Sequence, residues 1–409
     1  MLSIEGLIVA GDKPYRGRIE IDQSSGLITK ISSPTGTADI VLHEELIFPG
    51  FIDLHVHARE DTSHTQEYKE DFQTAGAAAI NGGIVLYGDM PNNPIPPVDD
   101  ASYDAKRALA DKSPIPIFLY AGIGPNTMPL SKKVPYKVFM GRSIGDMFFT
   151  SHEGLEEAIV KYRGANISFH CEDPIIMEEA SGGSTHESRR PVEAELSAVD
   201  IALALIEKYE LKGKICHCST IGGIQKIVDA KKRGVQVTVE VTPHHLFFDE
   251  TMLEDTKRTL FQVNPPIRQT KENRLGLIEM LRTGDIDYLA TDHAPHTKEE
   301  KMKGISGLTH LDTYGAFTTW LCKEHNFTVE DIKRICSSNP ANFVNKFVTD
   351  IYGEIKEGSI GSLSIIDMQK PITIQSSDLK TKNGWSPFLG MEFPGNCVIT
   401  IIKGKVYAK

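Results

Sequence analysis

From Pro49 onward, short apolar and β-branched runs alternate along the chain with amphipathic or alanine-rich stretches. Eight of these runs are predicted strands, at 51–57, 82–91, 114–123, 134–141, 167–173, 213–220, 235–245 and 286–296. Helices are predicted between and after them, at 71–81, 102–112, 154–163, 193–210, 222–233, 272–283, 311–325 and 328–347. Repeated strand–helix units predict the α/β class with a parallel sheet, and eight strands predict a (β/α)8 TIM-type barrel.

The two ends of the chain have a different pattern. Residues 1–48 and 351–409 hold short alternating runs broken by Gly, Pro, Asp and Ser, without a good helical stretch. Because the termini of a domain often lie close together, we expect these two segments to pair into one small β domain. Residues 49–350 then form the barrel.

The composition of the chain argues against several classes of function. The chain has 409 residues and a net charge of −11, without a long cluster of Lys and Arg, which argues against a nucleic-acid partner. No apolar run approaches the ~20 residues that span a bilayer, and the N-terminus lacks the pattern of a signal peptide. A cytoplasmic protein without membrane contact is predicted. Six cysteines in so long a chain are too sparse for a disulfide scaffold.

The run FIDLHVHAR at 51–59 carries the most informative pair of side chains. Side chains alternate between the two faces of a strand, so Asp53, His55, His57 and Arg59 point the same way. Two imidazoles on one face can hold a metal ion, although such a pair by itself is more often located at a surface.

Further polar residues occur near the ends of the later strands, and all of them can bind metals. They are Lys137, His170, His217 and Asp292. The carboxyl ends of the strands of a (β/α)8 barrel meet at one mouth, where active sites are built, so these residues are expected to converge with His55 and His57. Cys216 and Cys218 flank His217, and alternation predicts that their sulfurs lie on the face opposite to the imidazole and serve packing.

Several motifs resemble one known family over nearly the whole chain. They are FPGFIDLHVHAR at 48–59, DMPN at 89–92 followed by a PxxP stretch, HCED at 170–173, HCST at 217–220, TPHHL at 242–246, NPPIR at 264–268 and TDHAPHTKEEK at 291–301. Together they are similar to the cyclic amidohydrolase superfamily and, within it, to the dihydroorotases. The resemblance implies reversible, metal-dependent interconversion of dihydroorotate and N-carbamoyl-L-aspartate in pyrimidine synthesis.

The resemblance also implies a role for each site residue. It implies two Zn²⁺ ions, the first bound by His55, His57 and Asp292, the second by His170 and His217, with Lys137 bridging them as a carbamate. Asp292 would also carry the proton during catalysis. The remaining implied contacts are with the substrate: Arg59, Asn92 and His296 hold its carboxylate, and Asn264 contacts the ring amides.

Alternatives remain at this point. A hydantoinase, dihydropyrimidinase or allantoinase would share the metal ligands, and an inactive homologue could scaffold aspartate transcarbamoylase. The resemblance leaves open both a homodimer and an association with that enzyme. The chain also departs from the family pattern, since Thr309 and His310 stand at the last two positions of a usual Gly-Leu-Glu-Thr stretch. This departure leaves the expected metal ligands in place and concerns loop closure and the exact substrate.

Overall fold

The computed structural model describes residues 1–11, 13–142, 147–253, 258–268 and 270–409. The first strands are β1 (Leu2–Ile8), β2 (Tyr15–Asp22), β3 (Leu27–Ser32) and β4 (Ile40–Pro49). The central strands are β5 (Phe51–Val56), β6 (Ile84–Asp89), β7 (Ile117–Leu119), β8 (Ala121–Ile123), β9 (Tyr136–Phe139), β10 (Asn166–His170), β11 (Lys212–Ile215), β12 (Val237–Val241) and β13 (Tyr288–Leu289). The last strands are β14 (Leu363–Asp367), β15 (Ile372–Thr373), β16 (Glu392–Phe393), β17 (Asn396–Ile402) and β18 (Lys405–Ala408).

The central strands form a closed parallel barrel. Strands β5, β6 and β7 pair in parallel, and β8 to β13 form a second parallel series. Strands β7 and β8 are one run interrupted at Tyr120, and a parallel bridge between Val56 and His293 joins the last strand to the first. The observed strands overlap the eight predicted ones, and the predicted α/β barrel class is confirmed.

Helices lie between and after the barrel strands along the chain. They are α1 (Phe72–Gly82), α2 (Asp100–Ala110), α3 (His152–Ile159), α4 (Pro174–Glu179), α5 (Val192–Lys208), α6 (Ile221–Lys232), α7 (Pro243–Phe247), α8 (Lys271–Thr283), α9 (Lys298–Met302), α10 (Tyr314–His325), α11 (Val329–Lys333) and α12 (Asn339–Val344). The single helix predicted at 328–347 is divided by a π-helical stretch, Arg334–Ser338. Pro340 follows this stretch, and proline lacks the N–H that would continue a regular α-helical ladder. No helix in the described ranges is long and apolar enough to cross a membrane.

The two ends of the chain share one sheet beside the barrel. Its seven strands lie in the order β18, β17, β14, β4, β1, β2, β3, so β14 from the C-terminal segment pairs antiparallel with β4 from the N-terminal one. This sheet has a hydrophobic cluster of its own, which includes Ile4, Ile19, Ile47 and Ile365. The shared sheet supports our proposed division into residues 49–350 and a small β domain of 1–48 with 351–409.

Candidate metal centre

The first pair of histidines converges on one carboxylate. His55 lies in β5 and His57 directly beyond it. The Nε2 atoms of His55 and His57 lie 3.2 Å and 3.1 Å from Oδ1 of Asp292, which follows β13. The structure thus brings together three of the predicted ligands from the first and the last strand of the barrel.

A second pair of histidines lies beside the first. Nδ1 of His170, at the end of β10, is 3.0 Å from Nε2 of His217. The rings of His55 and His217 are 5.3 Å apart, and ligand atoms of His55, His217 and Asp292 lie within 4.8 Å of one another. The described part of the chain therefore contains a compact cluster of four imidazoles and a carboxylate.

Burial controls the charge of this cluster. It is the main cause that lowers the pKa of His55, His57 and His217 well below the usual range, and neighbouring positive charges lower these pKa values further. The three imidazoles are consequently neutral at neutral pH, the form in which a ring nitrogen binds a metal. Burial also raises the pKa of Asp292 to about 7, against the attraction of Lys137.

Lys137 lies in the same part of the barrel without a carboxylate partner. Its side chain, in β9, is fully buried, and Nζ donates to Sγ of Cys216 at 2.9 Å. Among the described residues no carboxylate forms an ion pair with Lys137, whereas the buried Lys106 pairs with Asp89 at 2.6 Å. A buried ammonium that lacks an acidic partner is costly, and conversion to a carbamate would remove the positive charge.

The prediction for Cys216 was wrong. We expected its sulfur on the face opposite to the His217 imidazole, yet Cys216 contacts Lys137 inside the barrel. Strand β11 ends at Ile215, and His217 has a positive φ of 34°, so the alternation of a regular strand does not extend to these positions. Burial raises the pKa of the Cys216 thiol to about 11, which keeps it protonated at neutral pH.

Three of the predicted site residues have a left-handed backbone conformation. The φ angles are 64° at Arg59, 34° at His217 and 47° at Asp292. Such a conformation costs a residue with a Cβ roughly 1–2 kcal/mol. Strained residues of this kind often cluster at functional sites, and here each lies beyond the end of its strand, where the turn directs the side chain towards the mouth.

The sequence reasoning missed a layer of charged residues behind the histidines. Glu240 in β12 hydrogen-bonds Nδ1 of His55 and forms a buried ion pair with Lys214 of β11. Glu172 accepts from Nε2 of His170 at 2.8 Å. These contacts leave His55 Nε2 and His170 Nδ1 directed at the cluster, as expected for carboxylates that orient metal-binding imidazoles. A usable signal was present, since a charged residue interrupts the apolar run VTVEV of β12.

The predicted substrate contacts are only partly brought together. Nη2 of Arg59 lies 3.1 Å from Nε2 of His296, and both residues are buried. Asn92 is buried beside His57. Asn264 is half-buried, and within the described chain its Oδ1 has no hydrogen-bond partner.

The departure at 309–310 lies in a segment that docks on the barrel. Leu308 forms a β-bridge with His293, and the Leu308 carbonyl accepts from Ala294 N at 2.7 Å. The imidazole of His310 stacks on that of His244, with 3.0 Å between His244 Nδ1 and His310 Nε2. His310 is thus buried beside the TPHHL motif.

The amidohydrolase family model matches residues 46–407. A dihydroorotase of Thermococcus kodakarensis is 34% identical, with 99% of this chain and 94% of that protein covered. A dihydroorotase of Pyrococcus abyssi is 32% identical, with 98% of this chain and 94% of that protein covered.

Among solved structures, the L-hydantoinase (dihydropyrimidinase) of Arthrobacter aurescens is similar with a TM-score of 0.88 and 24% identity. The match covers 100% of this chain and 96% of that one. At this level of identity the structural likeness concerns the fold.

Proposed function

The chain belongs to the amidohydrolase family, and we propose that it acts within this family as a dihydroorotase, interconverting dihydroorotate and N-carbamoyl-L-aspartate. The observation that carries this proposal is the position of Arg59. Its buried guanidinium follows the metal-binding pair on the same segment, and Nε and Nη1 have no partner among the described residues. A guanidinium edge suits a carboxylate, which dihydroorotate bears and the rings of hydantoin and dihydrouracil lack.

We propose that the cluster holds two divalent ions, most simply Zn²⁺. The donor set fits, because neutral imidazoles and a carboxylate are preferred ligands of zinc, and ligand atoms of His55, His217 and Asp292 lie within 4.8 Å of one another. His55, His57 and Asp292 would hold one ion, His170 and His217 the other, and a carbamate on Lys137 would bridge them. Such ions lower the pKa of bound water and polarise a carbonyl group.

Asp292 carries the proton in this proposal. Its side chain is 12% exposed and lies between His55 and His57 at the barrel mouth, so it can meet both water and substrate. In the hydrolytic direction the carboxylate takes the proton of the attacking water and returns it to the ring nitrogen that leaves. Ring closure reverses these two transfers.

Arg59 binds and orients the substrate. Burial lowers the pKa of Arg59 to about 10, so the guanidinium stays cationic at neutral pH. Held at two points, by the metal cluster and by Arg59, a flexible carbamoyl-aspartate would be restricted to the geometry in which its ring closes.

Replacement of Arg59 by alanine is expected to lower kcat/KM for dihydroorotate by about a hundredfold, because a charge-assisted bidentate contact is lost. The metal content should stay unchanged, since Arg59 binds no ion in this proposal. Steady-state kinetics and metal analysis would measure kcat/KM and the metal content. Arg59→Lys is the control, because lysine keeps the positive charge but lacks the planar guanidinium that can donate two hydrogen bonds to one carboxylate. Loss of metal from Arg59→Ala would indicate a structural role instead.

Steady-state assays on dihydroorotate, hydantoin, dihydrouracil and allantoin test the proposed function directly. We expect dihydroorotate to have the highest kcat/KM. Turnover of hydantoin or dihydrouracil without turnover of dihydroorotate would refute the proposal in favour of the alternative hydrolases. Failure of the metal-loaded protein to hydrolyse any of the four would support an inactive homologue.

A further inference from the structure

Behind Arg59 and His296 lies a set of polar residues that the proposed reaction does not use. Arg59 contacts His296, and His296 in turn contacts Glu300 in α9. Tyr68 and Lys69, from the loop before α1, reach the same carboxylate. One of these groups determines which donor atoms of Arg59 remain free to bind a substrate.

The contact with Arg59 determines the acceptor atom of His296. A guanidinium nitrogen only donates, so at the 3.1 Å contact with Nη2 of Arg59 the Nε2 atom of His296 must accept. Burial, and then the charges of Arg59 and Lys69, lower the pKa of His296, so the ring is neutral and carries one proton. That proton is therefore on Nδ1.

Nδ1 of His296 has two polar neighbours at equal distance. Oε2 of Glu300 and Nζ of Lys69 both lie 3.3 Å away. Only the carboxylate can accept the Nδ1–H proton, while the ammonium of Lys69 pairs with Oε1 of Glu300 at 3.1 Å.

Glu300 is itself held in place from two sides. Its Oε1 accepts from the Tyr68 hydroxyl at 2.6 Å, and Oε2 accepts from the backbone N–H of Thr297 at 3.1 Å in the capping box of α9. Although burial opposes it, hydrogen bonds from Tyr68 and Lys69 lower the pKa of Glu300, so it is ionised at neutral pH.

We infer that Glu300 is a positioning residue for substrate specificity: it keeps the proton of His296 on Nδ1, so that Nε2 accepts from Nη2 of Arg59 and the donors at Nε and Nη1 of Arg59, which have no partner among the described residues, stay free for a carboxylate. This inference rests on the proposed function. It also changes the role that the resemblance implies for His296. The imidazole orients Arg59, and its Nε2 is already engaged as an acceptor.

Glu300→Gln tests the inference with little change of shape. The Oε1 position faces the Tyr68 hydroxyl and the charged ammonium of Lys69, so the amide oxygen is expected there. The NH₂ group then takes the Oε2 position, against Nδ1 of His296 and the backbone N–H of Thr297. The proton of His296 then moves to Nε2 and faces a donor of Arg59. We expect KM for dihydroorotate to rise about tenfold, equivalent to about 1.4 kcal/mol, with kcat and metal content unchanged.

Glu299→Gln is the matched control. It removes the same charge from the same turn of α9, but Glu299 is exposed and its side chain interacts with Thr297 rather than with His296. We expect its KM to equal that of the wild type. Glu300→Leu, which lacks both acceptor oxygens, should raise KM at least as much as Glu300→Gln if it folds.

The outcomes separate the inference from the proposed function. A wild-type protein that does not turn over dihydroorotate refutes the function. An active wild type together with an unchanged KM in Glu300→Gln refutes the positioning role. A parallel fall of kcat and metal content in Glu300→Gln would also overturn it, because Glu300 would then support the metal cluster.

Discussion

Asp292→Asn is expected to lower kcat by about a thousandfold in both directions of the reaction, in the range that proton transfer by a positioned group contributes. An amide keeps the shape of the side chain and one oxygen near His55 and His57, but it cannot take up a proton at neutral pH. Steady-state rates of hydrolysis and of ring closure would measure the effect.

Metal analysis of the same variant separates the two roles proposed for Asp292. If Asp292→Asn retains both ions and kcat still falls, the proton transfer is the missing function. A kcat close to that of the wild type would contradict the proton role. Complete loss of metal would show that Asp292 acts chiefly as a ligand.

Lys137→Ala is also expected to lower the activity strongly, but for a different reason. Without the bridging group the second ion should be lost, and activity should fall by more than a hundredfold, since even changes behind the ligands typically cost about 10–100-fold. Metal stoichiometry and kcat/KM would be measured together. The mass spectrum of the intact wild type should additionally show one added CO₂.

Lys106→Ala is the control for removing a buried lysine. Lys106 is also fully buried, but it pairs with Asp89 and with Asn93 rather than with a predicted metal ligand. We expect this variant to be less stable, because Asp89 loses its partner, and to retain both ions. If Lys137→Ala keeps two ions and full activity, the bridging assignment is wrong.

Much of the fold followed from local patterns. The alternation of apolar runs with amphipathic stretches predicted the α/β barrel, and this prediction is confirmed, as is membership of the amidohydrolase family read from the motifs. The common direction of His55 and His57 followed from strand parity, because each side chain's face depends only on its position in one short segment. The two ions and the carbamate on Lys137 stay predictions.

The alternation of side chains between the two faces of a strand gave a wrong prediction for Cys216, which lies beyond the end of its strand. The position of Cys216 was mispredicted because β11 ends at Ile215 and His217 turns through a positive φ. A left-handed residue costs energy locally and is retained only when the surrounding structure stabilises it, so its own sequence neighbourhood favours another conformation. Arg59 and Asp292 have the same left-handed conformation.

By itself, then, the sequence determined the class of fold, the family and the kinds of side chain that carry the chemistry, since these depend on periodicity and motif. Only the tertiary structure decided how those side chains are paired. Glu240 contacts His55 across 185 positions of the chain, and Arg59 meets His296 across 237. Such contacts depend on barrel closure and on burial, and they bring the H-x-H segment into a cluster of imidazoles and a carboxylate with the Arg59 guanidinium beside it.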